Sequence, residues 1–385
     1  MRGLLVCPIS ADFPGNRGIL NKMAYQRAAL AELAGATDVI CNAVSGPLLN
    51  GDRFAEYKLT GRPFNSYNHF VLFYRHVSRC CRSGGYDFVY IRYPLATPSF
   101  LRFLRETKKT SPAAKIIVEV PTFPYRQELR SPKQRVLLAL DDFGHRRLKN
   151  YVDVIVTFFG QSEIFGIPCI QIANGVDVES IPVQPSPSSG ERVSMIIAAN
   201  FATWHGVDRM LRGLAAHLGS RGATPVTLGI VGDGPSVAEL RELTGDLGLQ
   251  DVVTFHGIRA GAELDALFAG ADLALGSLGM HRLGLHRSSS LKTREYCARG
   301  IPFVLASDDP DFPEGTPFVH RVPGDDSAVD VTAMVDFLYD LRERNPDCIT
   351  NMRRYAGAHL TWKAKLEPAV QYVRTGEVQT ERKLP

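Results

Sequence analysis

Apolar runs alternate with amphipathic stretches along most of the chain. Residues 3–10 form an apolar run bounded by turn formers, residues 19–33 have helical spacing, and residues 37–44 are apolar again. This strand–helix–strand rhythm is typical of a parallel sheet. It continues with predicted strands at 86–93, 115–120, 152–157 and 169–172, and with predicted helices at 68–82, 98–109 and 133–151.

The rhythm breaks at residues 182–192, which are rich in Pro and Ser and predict a linker. It then restarts, with predicted strands at 194–199, 226–231, 252–255, 273–277 and 303–306 and with predicted helices at 207–218, 236–247, 262–269, 291–299, 326–344 and 360–374. The pattern predicts an α/β protein of two doubly wound, Rossmann-like domains facing across a cleft. The predicted domains are 1–182 and 193–359, with a linker at 183–192 and a C-terminal helix near 360–376.

Composition places the chain among soluble globular proteins. Of its 385 residues, 45% are hydrophobic and 22% are charged, and no apolar run approaches the ~20 residues of a membrane span. The apolar part of the N-terminus is too short for a signal peptide. The seven cysteines include no CxxC pair, so we expect neither a disulfide framework nor a zinc site. This cysteine usage is typical of a protein in the reducing cytoplasm.

The net charge of +4 conceals an uneven distribution. Residues 1–180 contain 23 Lys and Arg against 15 Asp and Glu, a net of +8, which leaves 21 against 25, a net of −4, for the remainder. A basic half suits an anionic partner, which could be nucleic acid, anionic lipid or a phosphorylated substrate. Chance surface composition is the alternative.

The segment 288–302 has the strongest chemical signal. Three serines precede a predicted helix at 291–299, and Gly300 and Pro302 end it. A helix start in an α/β domain favours an anion, most often a phosphate. Lys292 and Glu295 lie three residues apart and therefore share a helix face, where they could hold a diphosphate and a ribose. A solvated helix with a charge pair is equally consistent with this stretch alone.

Two glycine-containing turns could also approach a ligand. The segment 229–235 (Gly-Ile-Val-Gly-Asp-Gly-Pro) ends a strand and opens a helix, and the segment 14–18 follows the first strand. The first lacks the spacing of a dinucleotide site. A tight turn and a plain loop are the respective alternatives.

Six landmarks in order are more specific than any one of them. They lie at 172–177, 204–208, 229–235, 253–257, 271–277 and 291–302. Together they resemble the GT-B glycosyltransferases, specifically the retaining family 4 type of bacterial polysaccharide biosynthesis. The resemblance is close over about 172–306 and weaker over 1–171.

The resemblance implies a set of donor-binding residues. Glu295 matches the second glutamate of the family's E-x7-E motif, which holds the ribose, and Lys292 belongs to the helix start that cradles the diphosphate. It also implies that the C-terminal helix returns to the first domain. The full donor-side set is Glu295, Lys292, Leu291, Ser290, Gly18, Gly257, Ile258, Gly232 and Gly234.

The sequence departs from the family pattern at three positions. Arg287 replaces the first glutamate of the motif, His205 replaces a lysine, and Ala199 stands where an arginine is expected. Lys292, Arg287 and His205 are therefore the candidate catalytic residues, with Arg294 as a further source of charge. A surface or capping histidine is the alternative for His205.

The first domain is expected to hold the acceptor, with Glu119, Tyr125 and Arg126 as candidate contacts. Its basic helices at 69–82 and 133–149 could lie near an anionic bilayer, although solvated arginines on a core helix are the alternative. The partners implied are a nucleotide-sugar donor and a glycan or lipid-linked acceptor, with no nucleic acid and neither metal nor cofactor. A non-catalytic nucleotide-sugar-binding protein and a nucleotide-sugar epimerase are the competing hypotheses.

Overall fold

The computed structural model describes residues 1–378 except 14–15, 59–64, 66, 127–131, 159 and 186–191. The chain divides into two compact units, one of residues 1–173 with 362–385 and the other of residues 174–361. The division falls at 173/174 instead of 182. Gln184, inside the predicted linker, belongs to the second unit because its backbone N–H donates to Arg299 O at 2.7 Å.

The first unit is built on a nine-stranded sheet of order β4-β3-β2-β1-β5-β6-β7-β9-β8. The pairs from β2 to β9 are parallel, and β3, β4 and β8 add antiparallel edges. The strands are β1 (Gly3–Ser10), β2 (Thr37–Asn42), β3 (Leu48–Leu49), β4 (Asp52–Arg53), β5 (Phe88–Arg92), β6 (Lys115–Val120), β7 (Val154–Thr157), β8 (Glu163–Ile164) and β9 (Ile167–Gln171).

Helices cover both faces of this sheet, which is why its central strands are apolar without alternation. On β1, Leu4 and Val6 join one buried cluster, whereas Leu5 and Cys7 join the cluster on the opposite face. The helices are α1 (Arg17–Ala34), α2 (Phe73–Gly84, preceded by a π-helical turn at Asn68–Leu72), α3 (Pro98–Thr110) and α4 (Pro132–Gly144, followed by a 3-10 helix at His145–Asn150).

The second unit has a six-stranded sheet of order β12-β11-β10-β13-β14-β15, in which each neighbouring pair is parallel. Its strands are β10 (Val193–Asn200), β11 (Val226–Asp233), β12 (Val253–Gly257), β13 (Leu273–Leu275), β14 (Phe303–Leu305) and β15 (Val319–Arg321). Its helices are α5 (Val207–Leu218), α6 (Val237–Asp246), α7 (Ala262–Ala269), α8 (Leu291–Arg299), α9 (Val331–Arg344) and α10 (Cys348–Tyr355).

The last helix, α11 (Trp362–Thr375), belongs to the first unit. Trp362, Leu366 and Val370 are buried in the same cluster as Met23 and Leu30 of α1. The hydroxyl of Tyr372 also donates to Asp153 O at 3.2 Å. The C-terminal helix therefore completes the first unit's core.

Each sheet has one place where the strand order reverses. The chain runs from β1 outward to β2 and later returns to the other side of β1 as β5; in the second sheet, β10 lies between β11 and β13 in the same way. Connections leave such neighbouring strands in opposite directions, which opens a crevice at their carboxyl ends where ligands bind. The fold therefore provides one such crevice in each unit.

The observed architecture confirms the predicted fold class. The pattern missed the short strands β3, β4, β8 and β15, which lack the continuous apolar runs that mark the equally short β13 and β14. The predicted helix at 133–151 ends as an α-helix at Gly144, and its last turns are 3-10.

Candidate functional site

The crevice of the second unit lies between the segments that follow β10 and β13. Backbone hydrogen bonds join the two segments, from Leu278 N–H to His205 O at 2.9 Å and from Gly279 N–H to Trp204 O at 3.1 Å. Gly206 has φ +64, and a Cβ there would lie 2.7 Å from Gly279 N. The glycine therefore permits the close approach that fixes His205 at the crevice.

No described side chain forms a capping hydrogen bond at the start of α8. Ser290 occupies the N-cap position in an extended conformation but makes no capping hydrogen bond. The preceding serines are engaged elsewhere, because Ser289 Oγ accepts from Asn174 N–H at 2.8 Å and Ser288 Oγ lies 3.0 Å from Ser307 Oγ. Although three serines precede the helix, none of their hydroxyls caps it. The first N–H groups of a helix have no acceptor within it, so this start can receive an anion.

Lys292 lies in the first turn of α8. Its Nζ is 3.4 Å from Ser277 Oγ, and among the described residues no carboxylate is within ion-pair distance of it. Burial lowers the pKa of Lys292 to about 8. The ammonium is therefore mostly protonated at pH 7 and has no counter-ion among the described residues, which favours an anionic ligand.

His205 is neutral in this setting. Burial, together with the nearby Lys292, lowers its pKa to about 4. Its Nδ1 accepts from Ala202 N–H at 3.0 Å, which leaves the ring proton on Nε2. His205 can donate a hydrogen bond, but it does not replace the positive charge of the family's lysine.

The two candidate arginines have different surroundings. Arg294 is fully buried and forms ion pairs with Asp309 and Asp311. Its charge is therefore neutralised inside the unit, and Arg294 is no longer a candidate for a ligand contact. Arg287 is exposed, and no ion pair holds it within the part of the chain that the structure describes. Its segment is anchored by Ser288 N–H donating to Asp308 O at 2.8 Å.

Glu295 lies one turn beyond Lys292 on α8. Its Oε1 accepts from Arg299 Nε at 3.0 Å and Nη2 at 2.7 Å, and Arg299 also contacts Asp265 at 2.7 Å. The side chain of Glu295 is 30% exposed. The arginine thus orients the carboxylate through one oxygen, and no described residue donates to the other.

The predicted glycines divide into two groups. A Cβ on Gly257, at the end of β12, would meet nothing within 4 Å, and the following Ile258 is 72% exposed, so this side is open to a ligand. By contrast, a Cβ on Gly232 would lie 1.9 Å from Ala199 O, and one on Gly234 would lie 2.4 Å from Phe201 N. These two glycines are needed for contact between neighbouring backbones, whatever binds there.

The crevice of the first unit contains a cavity of about 730 Å³. It lies at the carboxyl ends of β1, β2, β5 and β6, where Ser10, Asn42, Arg92 and Val120 line it. Gly18 is in the first turn of α1, and a Cβ there would meet nothing within 4 Å.

The three predicted acceptor contacts differ in position. Tyr125 lines the cavity. Arg126 is exposed, outside the residues that line the cavity, and forms an ion pair with Asp142. Glu119 is fully buried on β6, so it cannot touch a ligand directly; it accepts from Gln26 Nε2 at 2.6 Å and Tyr90 Oη at 2.8 Å instead.

Sequence reasoning missed Arg92, Tyr93 and Asp141. Arg92 and Tyr93 end a strand that was predicted, so their place at the carboxyl edge of the sheet was a usable signal. Asp141 gave no such signal, because an aspartate on a basic amphipathic helix is ordinary.

Among the residues described, no group of three or more His, Cys, Asp or Glu side chains is arranged to hold a metal ion. No helix of that part of the chain is long and apolar enough to cross a membrane.

No protein-family model and no curated protein matches the chain. Solved glycosyltransferase structures do match it over nearly its whole length. Sucrose-phosphate synthase from Thermosynechococcus elongatus is 14% identical, with a TM-score of 0.61 over 97% of this chain and 98% of that one. A glycosyltransferase from Rickettsia africae is 14% identical, with a TM-score of 0.62 over 97% of both chains.

A third similar structure contains a nucleotide. Anabaena HepE in complex with UDP is 14% identical, with a TM-score of 0.59 over 98% of this chain and 100% of that one. At these identities the likeness establishes the fold, which is the GT-B fold of glycosyltransferases.

Proposed function

We propose that the protein is a glycosyltransferase that moves a sugar from a nucleotide diphosphate sugar to a glycan or lipid-linked acceptor. The observation that carries the proposal is the crevice of the second unit. There an uncapped helix start and the ammonium of Lys292, which has no counter-ion in the described part of the chain, lie one turn from the partly exposed carboxylate of Glu295. This arrangement suits a diphosphate beside a ribose, and the GT-B fold is consistent with it.

In this proposal the second unit holds the donor and the first unit holds the acceptor. The uncapped N–H groups and Lys292 stabilise the charge that grows on the diphosphate as the glycosidic bond breaks, and the exposed guanidinium of Arg287 adds to this stabilisation. Gly257 and Ile258 accept the base. We propose transfer with retention of configuration, without a metal or other cofactor, in cell-surface polysaccharide biosynthesis in the cytoplasm.

The first test is a panel of labelled nucleotide sugars and of the nucleotides UDP, GDP, ADP, CMP and dTDP. One nucleotide should stabilise the protein selectively, by about 2.7 kcal/mol at a hundredfold excess over Kd. The matching labelled sugar should then be transferred to an acceptor. If none of the nucleotides stabilises the protein, the proposal is contradicted.

A non-catalytic nucleotide-sugar-binding protein is the second candidate. It is favoured by the neutral state of His205 and by Arg287 in place of a carboxylate. Tight nucleotide binding without transfer or hydrolysis of the donor selects this candidate. Free epimerised nucleotide sugar in the absence of acceptor selects the epimerase.

We also propose that the protein contacts anionic membranes at the inner face of the cell membrane, through α4. This helix exposes an apolar face of Val136, Leu140 and Phe143, which are 63%, 41% and 69% exposed. Exposed Arg135, Arg146, Arg147 and Lys149 flank it. The helix α2 has exposed arginines too, but its apolar residues Phe73 and Val77 are buried in the core, as expected of an ordinary amphipathic helix.

An exposed apolar face between cations suits a bilayer with anionic headgroups. Replacing Val136, Leu140 and Phe143 together by Ser should reduce co-sedimentation with anionic vesicles several-fold. The matched control replaces Arg75, Arg79 and Arg82 of α2 by Gln and should have a smaller effect. Equal recovery of the unaltered protein with neutral and anionic vesicles contradicts the membrane contact.

A further inference from the structure

The described lining of the first unit's cavity carries a single permanent charge. Arg92 is the one Lys or Arg among the described residues that line the cavity, and that lining includes no Asp or Glu. The rest of the described lining consists of aromatic and aliphatic side chains, amides, the hydroxyls of Ser10 and Thr122 and the imidazole of His69. Such a lining repels no anion and offers one cationic contact point.

A buried carboxylate holds Arg92 in place without using most of its hydrogen-bonding capacity. Arg92 Nη1 is 3.3 Å from Glu119 Oε1, and the described residues offer no other side-chain or backbone acceptor to the guanidinium. A guanidinium has five N–H groups, so several remain for a ligand.

Glu119 is also neutralised from the other side. Lys22 Nζ lies 3.1 Å from its Oε1, while Gln26 and Tyr90 donate to its Oε2. Burial opposes the ionisation of Glu119, but Lys22 and Arg92 outweigh it and hold the pKa of this carboxyl below its ordinary value. Because Glu119 shares its charge between two cations, Arg92 retains positive charge towards the cavity.

Two tyrosines form a fixed aromatic part of the cavity wall. The rings of Tyr93 and Tyr125 have centroids 5.7 Å apart, and both hydroxyls donate to the carboxylate of Asp141. Asp141 is buried, accepts from Ala96 N–H at 2.7 Å and has no cation within ion-pair distance in the described part of the chain. Since Asp141 takes both hydroxyls, the rings present their apolar bodies to the cavity.

We infer that this cavity binds a sugar ring that carries an anionic substituent, a carboxylate or a phosphate. Arg92 binds the anion, Tyr93 and Tyr125 contact the ring, and Asp141 is a positioning residue for both tyrosines. The assignment of this sugar as the acceptor rests on the proposed function. The acidic group can come from a uronic acid or from a phosphorylated, lipid-linked sugar, and both present oxygen anions to the guanidinium.

Binding of three sugars to the full chain tests the inference. Glucuronic acid supplies a carboxylate, glucose 1-phosphate supplies a phosphate, and glucose supplies neither. We expect at least one of the two anionic sugars to bind about tenfold more tightly than glucose in calorimetry, and the tighter of the two identifies the source. Equal affinity for all three sugars overturns the inference.

Variants place the effect at Arg92. Arg92→Gln should abolish the preference for anionic sugars, and Arg92→Lys should keep part of it. Arg126→Gln, an exposed arginine outside the lining, is the matched control and should leave the preference unchanged. Repeating the comparison in a Lys292→Ala background removes the proposed phosphate site of the second unit, so that the remaining preference reports on the first unit. A preference that survives in Arg92→Gln overturns the assignment.

Two further variants separate charge from folding and positioning. If Arg92→Gln fails to fold because Glu119 loses a partner, the Arg92→Gln/Glu119→Gln pair removes both charges and serves in its place. Asp141→Asn should weaken all three sugars to a similar degree while the anionic preference remains. An effect on the anionic sugars alone contradicts the positioning role.

The outcomes for this inference and for the proposed function can be told apart. Transfer to neutral and acidic acceptors with equal kcat/KM overturns only the inference. Binding of acidic sugars as expected, with no transfer from any nucleotide sugar, overturns only the proposed function.

Discussion

The crevices of the two units occupy the same place in the same kind of sheet but have different chemistry. In the second unit the polar groups are the helix start of α8, the ammonium of Lys292 and the Nε2–H of neutral His205. In the first unit Arg92 is paired with the buried carboxylate of Glu119, beside the rings of Tyr93 and Tyr125. The strand order therefore fixes where a ligand can bind, and the residues just beyond the strands decide what binds.

The difference predicts that charge matters for the rate in one crevice and for selectivity in the other. Lys292→Ala should lower kcat by about a hundred- to a thousandfold, and by more than it weakens donor binding, because charge on the diphosphate grows in the transition state. Steady-state kinetics at saturating donor measure this. Lys363→Ala, which removes an exposed lysine of α11, is the control. A near-normal kcat means that the diphosphate lies elsewhere.

Glu295→Gln should weaken nucleotide binding by about 1.5–3 kcal/mol, the range for a hydrogen bond to a charged group. Calorimetry with the selected nucleotide measures it. Asp265→Asn is the matched control, because it removes the other carboxylate partner of Arg299 and leaves Glu295 in place. If both variants bind alike, Glu295 acts only through Arg299.

The buried ammonium of Lys292 should lower the stability of the folded protein, and replacement of Lys292 by a neutral side chain should restore that stability. Its pKa in the folded protein is about 8, below the ordinary value of 10.5, so the penalty is complete below pH 8 and is relieved as the pH rises towards 10.5. Lys292→Met should therefore raise Tm at pH 7 by at least about 2 °C, and the gain should shrink by pH 10. Activity should fall as the pH rises through about 8.

The position of this pKa can be measured directly. Lys292 is the one lysine among residues 174–361. The pH dependence of amine labelling in peptides from that segment therefore reports on Lys292 alone. A midpoint near 10.5 contradicts both the burial of the ammonium and the predicted gain in stability.

The smallest effect is expected at His205. Because its pKa is about 4, the ring stays neutral from pH 6 to 8, and His205→Ala should lower kcat less than tenfold without changing the pH profile in that range. If kcat of the unaltered protein changes with pH near 6.5 and His205→Ala loses that dependence, His205 works as a cation.

The sequence predicted the relative positions of the candidate residues in the second unit but few of the residues that line the first unit's cavity. Lys292 and Glu295 are three residues apart on one helix, so local spacing was enough to place them on one face. Arg92, Glu119 and Asp141 come from β5, β6 and α4, and only the tertiary fold brings them together. Glu119 was predicted as a contact because sequence does not reveal that Lys22 and Gln26 enclose it.

Arg294 was misjudged for the same reason. Its place on α8 beside Lys292 suggested a second cation for the diphosphate, but the helical turn points it to Asp309 and Asp311 in the interior. Conversely, the high content of Pro and Ser at 182–192 suggested a domain boundary, whereas the two units divide at 173/174. Composition identifies a loop but not the side of a boundary to which it belongs.

The division at residue 173/174 has a consequence for the proposed diphosphate site. Asn174, the first residue of the second unit, is tied to Ser289 by two hydrogen bonds, of 2.8 and 2.7 Å. Two residues on, Val176 N–H donates to Leu360 O at 2.8 Å, beside the point where the chain leaves this unit. The first and last segments of the second unit are therefore joined to each other, and the first is also bound to Ser289, which precedes the N-cap residue of α8. The chain thus enters this unit beside the backbone of the proposed diphosphate site.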